Sequence, residues 1–274
     1  MRHRRIAERL LGITGGTTMA EEAGDGESRF RRLADSFASD DFAGVLRELA
    51  LMDRPAMASR IGELRLKLLI VWTGKEPGEA SSFAGEGRVP SEACRVIAST
   101  WGKADSAAAL SWARRLPDQS HRQEALIGVG SEVVFHNPRK AIELATEAGV
   151  NPGAGELLGQ AAGAWARTDP EAAAAWAREV TDPALREKLV VEVASAWADR
   201  DPHAASKLVI DSVDEGILEE NALVGILQRL AFQDMEGARD WVTQFPEGRM
   251  RERAEAELIR ISGRLNGSPL TRQH

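Results

Sequence analysis

The side chains that most often carry out catalysis are few in this chain, and their spacing matches no common catalytic or metal-binding pattern. Cys94 is the only cysteine, so the chain forms no intrachain disulfide and no cysteine-rich zinc site. No two histidines lie in an HxxxH or HExxH pattern, in which both imidazoles would face one metal ion. The histidines are His3, His121, His136, His203 and His274. We interpret Cys94 as a core thiol, and His121 and His203 as ordinary surface residues.

Motifs for phosphate binding and for acid–base chemistry are also missing. There is no GxxxxGK[ST] loop, and the glycines at 12–16 do not follow a predicted strand. The adjacent acids Asp40 and Asp41, like Glu219 and Glu220, lie at predicted helix starts, where the helix dipole favours negative charge. The sequence therefore predicts a protein that is not an enzyme and that holds no cofactor and no metal.

One set of polar residues recurs with a spacing that could form a binding surface. Within each predicted helix its members stand three, four or seven residues apart, so they share one helix face. The candidate partner-binding residues are Glu92, Ser99, Glu124, Ser131, Glu156, Gln160, Glu192 and Ser195. The glutamates favour a basic peptide or protein as partner. The alternative interpretation is a solvated helix face whose small residues set the curvature.

A repeat of 32 residues produces this spacing. A large apolar residue returns at steps of 32, 32, 32 and 33 residues, at Trp101, Val133, Trp165, Trp197 and Leu230. Eight residues after each one stands an alanine, namely Ala109, Ala141, Ala173, Ala205 and Ala238. Four residues after each one stands an acid or its amide, namely Asp105, Asn137, Asp169, Asp201 and Asp234. Agreement over five copies is the signature of a repeat architecture.

Each repeat carries two helix-start signals. Asp169 before Pro170 is one, because aspartate caps free backbone amides and proline has no amide to lose at the first helical position. Asp182 before Pro183 is the second. The sequence therefore predicts two helices per repeat, for example at 185–198 and 202–211. We expect the tryptophans to pack in the core between them.

The period, the two helices per unit and the alanine column resemble the tetratricopeptide-like α/α superhelix family over about residues 30 to 264. The period of 32 departs from the tetratricopeptide value of about 34, and the Leu-Gly…Tyr signature is absent. The chain is more similar to the AW-x2-DP-x2-AA-x2-W repeat of uncharacterised bacterial proteins. The resemblance implies an all-α fold, a right-handed α/α solenoid of about five to six helix pairs. It also implies that the longer helices line a concave groove.

Three segments are expected along the chain. Residues 1–27 form a basic, disordered N-terminal segment that ends in a flexible linker, residues 28–264 form the solenoid domain, and residues 265–274 form a disordered tail. Residues 1–18 hold four arginines and one glutamate, a net charge of +3 in a chain of −7. Glu8 and Arg9 interrupt any apolar core of a signal peptide there.

The composition narrows the class of partner. Outside residues 1–18 the chain carries a net charge of −10, which repels nucleic acid. No apolar run reaches the length of about 18 residues that a transmembrane helix needs. We therefore predict a cytoplasmic, non-catalytic protein–protein interaction module that binds an unidentified protein or peptide. The alternative is a structural or self-assembling scaffold that the N-terminal basic segment tethers to a membrane surface.

Overall fold

The computed structural model describes residues 1–13, 20–87 and 89–267. Within these residues the protein is all-α, with sixteen α-helices, a 3-10 turn at Pro55–Met57 and no strand. The predicted all-α class is confirmed. Helices that are close in sequence pack against each other, as a helical repeat requires.

The sixteen helices are numbered in chain order. The first six are α1 (Arg2–Ile13), α2 (Ala20–Asp35), α3 (Ser39–Ala50), α4 (Ala58–Lys75), α5 (Pro77–Gly85) and α6 (Ser91–Ala104). The next five are α7 (Ser106–Arg115), α8 (Gln119–Val133), α9 (Pro138–Ala148), α10 (Pro152–Ala166) and α11 (Pro170–Arg178). The last five are α12 (Pro183–Trp197), α13 (Pro202–Ser212), α14 (Ile217–Gln233), α15 (Met235–Thr243) and α16 (Arg249–Gly267).

Longer and shorter helices alternate from α6 to α15. The longer members, with even numbers, span 14 to 17 residues. The shorter members, with odd numbers, span 9 to 11 residues. This alternation confirms the prediction of a longer and a shorter helix in each repeat.

Aspartate caps mark the boundaries between these helices. The Asp169 side chain accepts a hydrogen bond from the Ala172 amide at 3.1 Å, and Pro170 occupies the first turn of α11. Side chains at equivalent boundaries make the same bond, namely Asp105, Asn137, Asp182, Asp201 and Asp234. A cap of this kind stabilises a helix by about 1 kcal/mol.

Alanines and large apolar residues of the repeat meet in the core. All five alanines of the alanine column have 0% of their surface exposed. The ring centroids of Trp165 and Trp176 lie 6.1 Å apart within one helix pair, and those of Trp101 and Trp112 lie 6.2 Å apart in another. The core role predicted for these tryptophans is confirmed, although Trp101, Trp165 and Trp176 are only partly buried.

Contacts divide the chain into two compact units. Unit 1 comprises residues 1–133 and 143–154, and unit 2 comprises residues 134–142 and 155–274. In unit 1, Trp72 stacks on Phe42 at 5.6 Å and its indole donates a hydrogen bond to Ser39 Oγ at 3.1 Å. In unit 2, a separate core joins Leu189 and Val193 of α12 to residues of α11 and of α13 to α16.

The disorder predicted for residues 1–27 is wrong for residues 2–13 and 20–27, which are helical. Ala7, Leu10 and Leu11 are buried, so α1 has an apolar face that folds onto its own unit. The guanidinium of Arg60 donates a hydrogen bond to the Leu11 carbonyl at 2.7 Å and so satisfies an acceptor at the C-terminal end of α1. The apolar face of α1 was not recognised in the sequence because arginines are interspersed among its apolar residues.

The remaining boundary predictions concern the two segment ends. Residues 14–19, which include the start of the predicted linker, lie outside the described residues. The tail predicted to begin at 265 is helical as far as Gly267, where α16 ends. Residues 268–274 lie outside the described part of the chain.

Candidate functional site

The predicted polar face is divided between the two units. Glu92, Ser99, Glu124 and Ser131 belong to unit 1, on α6 and α8. Glu156, Gln160, Glu192 and Ser195 belong to unit 2, on α10 and α12. Each group is therefore considered within its own unit.

In unit 1, a glycine brings α6 and α8 together. Gly128 is buried, and a Cβ atom placed on it would overlap the backbone carbonyl oxygen of Arg95 and lie 2.9 Å from Ala98 Cβ. Gly128 thus faces α6 rather than solvent. Its small size allows the two backbones to approach.

An ion pair spans the same two helices. Arg95 Nε donates a hydrogen bond to Glu124 Oε2 at 2.7 Å, and the Glu124 side chain is 18% exposed. A basic partner would have to displace Arg95 before it could bind this carboxylate. Ser131 is also engaged, because its hydroxyl donates to the Ile127 carbonyl at 2.9 Å. Glu92 is exposed, whereas Ser99 is half-buried.

In unit 2, two glycines of α10 face α12 and bring the remaining candidates close together. Gly159 and Gly163 are buried, and a Cβ atom on Gly159 would lie 3.7 Å from Glu192 Cγ. Glu156 and Gln160 flank Gly159 on α10, and both are exposed, as is Glu192. Gln160 Nε2 lies 3.4 Å from Glu156 Oε1.

The charges of this cluster are unneutralised. Among the described residues, neither Glu156 nor Glu192 forms an ion pair with a basic side chain within 4.0 Å. Lys188 precedes Glu192 by one helical turn, but it is exposed and makes no such pair. Two solvated carboxylates and a primary amide are a suitable surface for arginine or lysine side chains, which they can bind through charge-assisted hydrogen bonds. Ser195, one turn beyond Glu192, is half-buried.

His121 is not the ordinary surface residue that the sequence predicted. Its ring is half-buried at the start of α8, with Nδ1 2.6 Å from Asp118 Oδ1 and Nε2 3.0 Å from the Val89 carbonyl oxygen. A carbonyl oxygen only accepts, so both contacts are hydrogen bonds when both ring nitrogens carry protons. The hydrogen bond with Asp118 raises the pKa of His121, burial opposes that rise, and the Val89 carbonyl adds to it. His203, by contrast, is exposed as predicted.

Cys94 is fully buried in α6, which confirms the core-thiol interpretation. Burial, together with the negative charges of Asp118, Glu124 and Glu92, raises the pKa of the thiol to about 12. A thiol in this state is a poor nucleophile, because the thiolate is the reactive form.

Within residues 1–13, 20–87 and 89–267, no group of three or more His, Cys, Asp or Glu side chains could hold a metal ion. Of the helices that the structure describes, none combines the length and the apolar character needed to cross a bilayer.

No protein-family model matches the chain, and no curated protein or solved structure matches it either.

Sequence reasoning missed Arg95 and His121. Arg95 is not one of the candidate residues that recur on one helix face, and its partner Glu124 lies 29 positions later on a different helix. His121 had a detectable signal, because Asp118 three residues earlier is a capping aspartate whose side chain accepts from the His121 amide at 2.9 Å. The second ring contact, to Val89, depends on the packing of two segments and has no signal in the sequence.

Proposed function

We propose that the protein is a non-catalytic interaction module that binds a basic peptide or a basic segment of a protein partner. The observation that carries this proposal is the exposed cluster of Glu156, Gln160 and Glu192 on α10 and α12. The two carboxylates lack a basic partner among the described residues, so binding a cation would not require breaking an existing ion pair. Glu92 in unit 1 offers a further exposed carboxylate.

The finer architecture is part of the same proposal. We infer a right-handed solenoid of 32-residue repeats with about five to six helix pairs, in which the longer helices line the binding face. The alternation of longer and shorter helices and the recurring aspartate caps support it. A cytoplasmic location also remains a prediction.

Fluorescence anisotropy with a labelled oligo-arginine peptide tests the binding proposal. The double variant Glu156→Gln/Glu192→Gln should bind roughly tenfold more weakly, because exposed ion pairs contribute up to about 1 kcal/mol each. The control Glu179→Gln removes the same type of charge from an exposed site at the end of α11. If the control weakened peptide binding by the same factor, net charge would explain the effect and the proposal would be contradicted.

The second candidate function, a scaffold tethered to a membrane by the N-terminal basic segment, has less support. An amphipathic helix binds a bilayer by burying its apolar face in the lipid. The apolar face of α1 is already buried within unit 1 at Ala7, Leu10 and Leu11. Insertion would therefore require α1 to detach from α3 and α4. Flotation of the full chain with anionic liposomes, and light scattering over a range of concentrations, would detect tethering and self-assembly respectively.

A further inference from the structure

Three arginines from two helices surround an open cavity in unit 1. The cavity has a volume of about 610 Å³, and the described residues that line it are Arg9 of α1, Arg29, Arg32 and Leu33 of α2, and Ser36. The three arginines are exposed, and no carboxylate is among these lining residues. The volume lies within the usual range of about 300 to 1,000 Å³ for small-molecule sites.

Two of these arginines have no counter-ion in the part of the chain that the structure describes. Among the described residues, Arg9 and Arg32 form no ion pair, whereas their neighbours do. Arg4 and Arg54 both lie 3.6 Å from a carboxylate oxygen of Glu8. Arg31, adjacent to Arg32, lies 3.2 Å from Glu27 Oε1. Glu8 and Glu27 are thus paired with other arginines, and Arg9 and Arg32 line the cavity without an ion pair among the described residues.

The fold holds these two side chains in place. Ala7, Leu10 and Leu11 fix α1 from its buried side, so Arg9 projects from the opposite, solvent-facing side of a packed helix. Phe30 and Ala34 anchor α2 in the same way on either side of Arg32. A guanidinium group on a packed helix loses less conformational entropy on binding than one on a disordered segment.

We propose that this cavity binds a phosphate group that carries at least two negative charges, in a free polyphosphate or in the headgroup of a phospholipid. The planar guanidinium offers paired N–H donors that match phosphate oxygens, and the two groups of Arg9 and Arg32 balance a dianion. The Ser36 hydroxyl is not counted as a donor, because it already donates to the Leu33 carbonyl at 2.7 Å. The overall charge of −7 disfavours general attraction of polyanions, so binding must come from this local cluster.

Calorimetric titration of the full chain with tripolyphosphate tests the proposal. We expect one saturable site, and a loss of affinity of about fivefold or more in each of Arg9→Gln and Arg32→Gln, since each removes charge-assisted hydrogen bonds to phosphate. The matched control is Arg31→Gln, which makes the same charge change one residue away at a side chain paired with Glu27. The control should keep its affinity within about twofold. Equal melting temperatures would verify that all three exposed sites leave the fold intact.

Sedimentation with phosphatidylcholine vesicles, with and without phosphatidic acid, separates the two sources of phosphate. Binding of tripolyphosphate alone supports a free ligand. Binding of the phosphatidic acid vesicles as well, weakened by Arg9→Gln and Arg32→Gln, supports recognition of a lipid headgroup. Binding of neither probe, or equal weakening by Arg31→Gln, would overturn the proposal.

Discussion

Replacing Gly128 with alanine tests the close approach of α6 and α8 on which unit 1 depends. The added methyl group would overlap the Arg95 carbonyl oxygen and lie 2.9 Å from Ala98 Cβ. Overpacking costs about 1–3 kcal/mol, and the upper part of that range applies because a backbone carbonyl moves only with its helix. Alanine recovers about 1 kcal/mol of helix propensity. The net expectation is a destabilisation of about 2 kcal/mol.

The control for this prediction is Gly62→Ala in α4. No atom lies within 4 Å of the Cβ position there, so only the gain in helix propensity remains. We expect this variant to be more stable than the wild type by up to about 1 kcal/mol. Thermal and urea unfolding measure both changes, and Gly128→Ala should melt about 4–8 °C below the wild type. A Gly128→Ala variant as stable as the wild type would refute the packing argument.

Three further predictions follow from the caps and the titratable groups. Folding raises the pKa of His121. The stability that His121 contributes is therefore complete below its unfolded-state pKa of 6.5 and is lost as pH rises through its folded-state pKa. The difference in melting temperature between the wild type and His121→Gln should shrink as pH is raised. If the difference is constant with pH, the ring does not titrate as proposed. Cys94 should resist labelling by a disulfide reagent at about pH 8 until the protein unfolds, since the reactive thiolate is scarce and buried; rapid labelling of the folded protein would show the thiol to be accessible. Asp201→Ala should lower the free energy of unfolding, measured in urea, by about 1 kcal/mol because it removes the cap bond to the Ala204 amide. The control Asp214→Ala, at an exposed site outside that cap, should change the free energy of unfolding by less than about 0.5 kcal/mol. Equal effects would mean that the cap bond contributes nothing.

The repeat made the fold class and the helix layout predictable. An aspartate before a proline is a local signal, because the cap and the proline act within one turn of the helix that they start. The boundaries of α11 and α13 therefore follow the sequence closely. The alanine column was equally informative, because a small side chain lets two helices approach closely. All five of its alanines are fully buried.

The N-terminal helix and the ion pairs were not predictable in the same way. The segment of α1 resembles a charged tail because it contains four arginines, and only the packing against α3 and α4 reveals the buried side. The pairing of Glu124 with Arg95 also depends on which helices are neighbours. For the same reason, the sequence aligned all eight candidate residues on one face, whereas among the described residues only Glu156, Gln160 and Glu192 form an exposed group without basic partners.

We propose that the face formed by Glu156, Gln160 and Glu192 contacts the partner. Site-specific photo-crosslinking tests it directly, with a photoreactive amino acid in place of Gln160 and, as control, in place of the exposed Glu179. With a basic peptide as probe, we expect crosslinks from position 160 and few from position 179. The double variant Glu156→Gln/Glu192→Gln should abolish the crosslinks from position 160. Equal crosslinking from both positions, or none from position 160 under conditions in which the peptide binds, would contradict it.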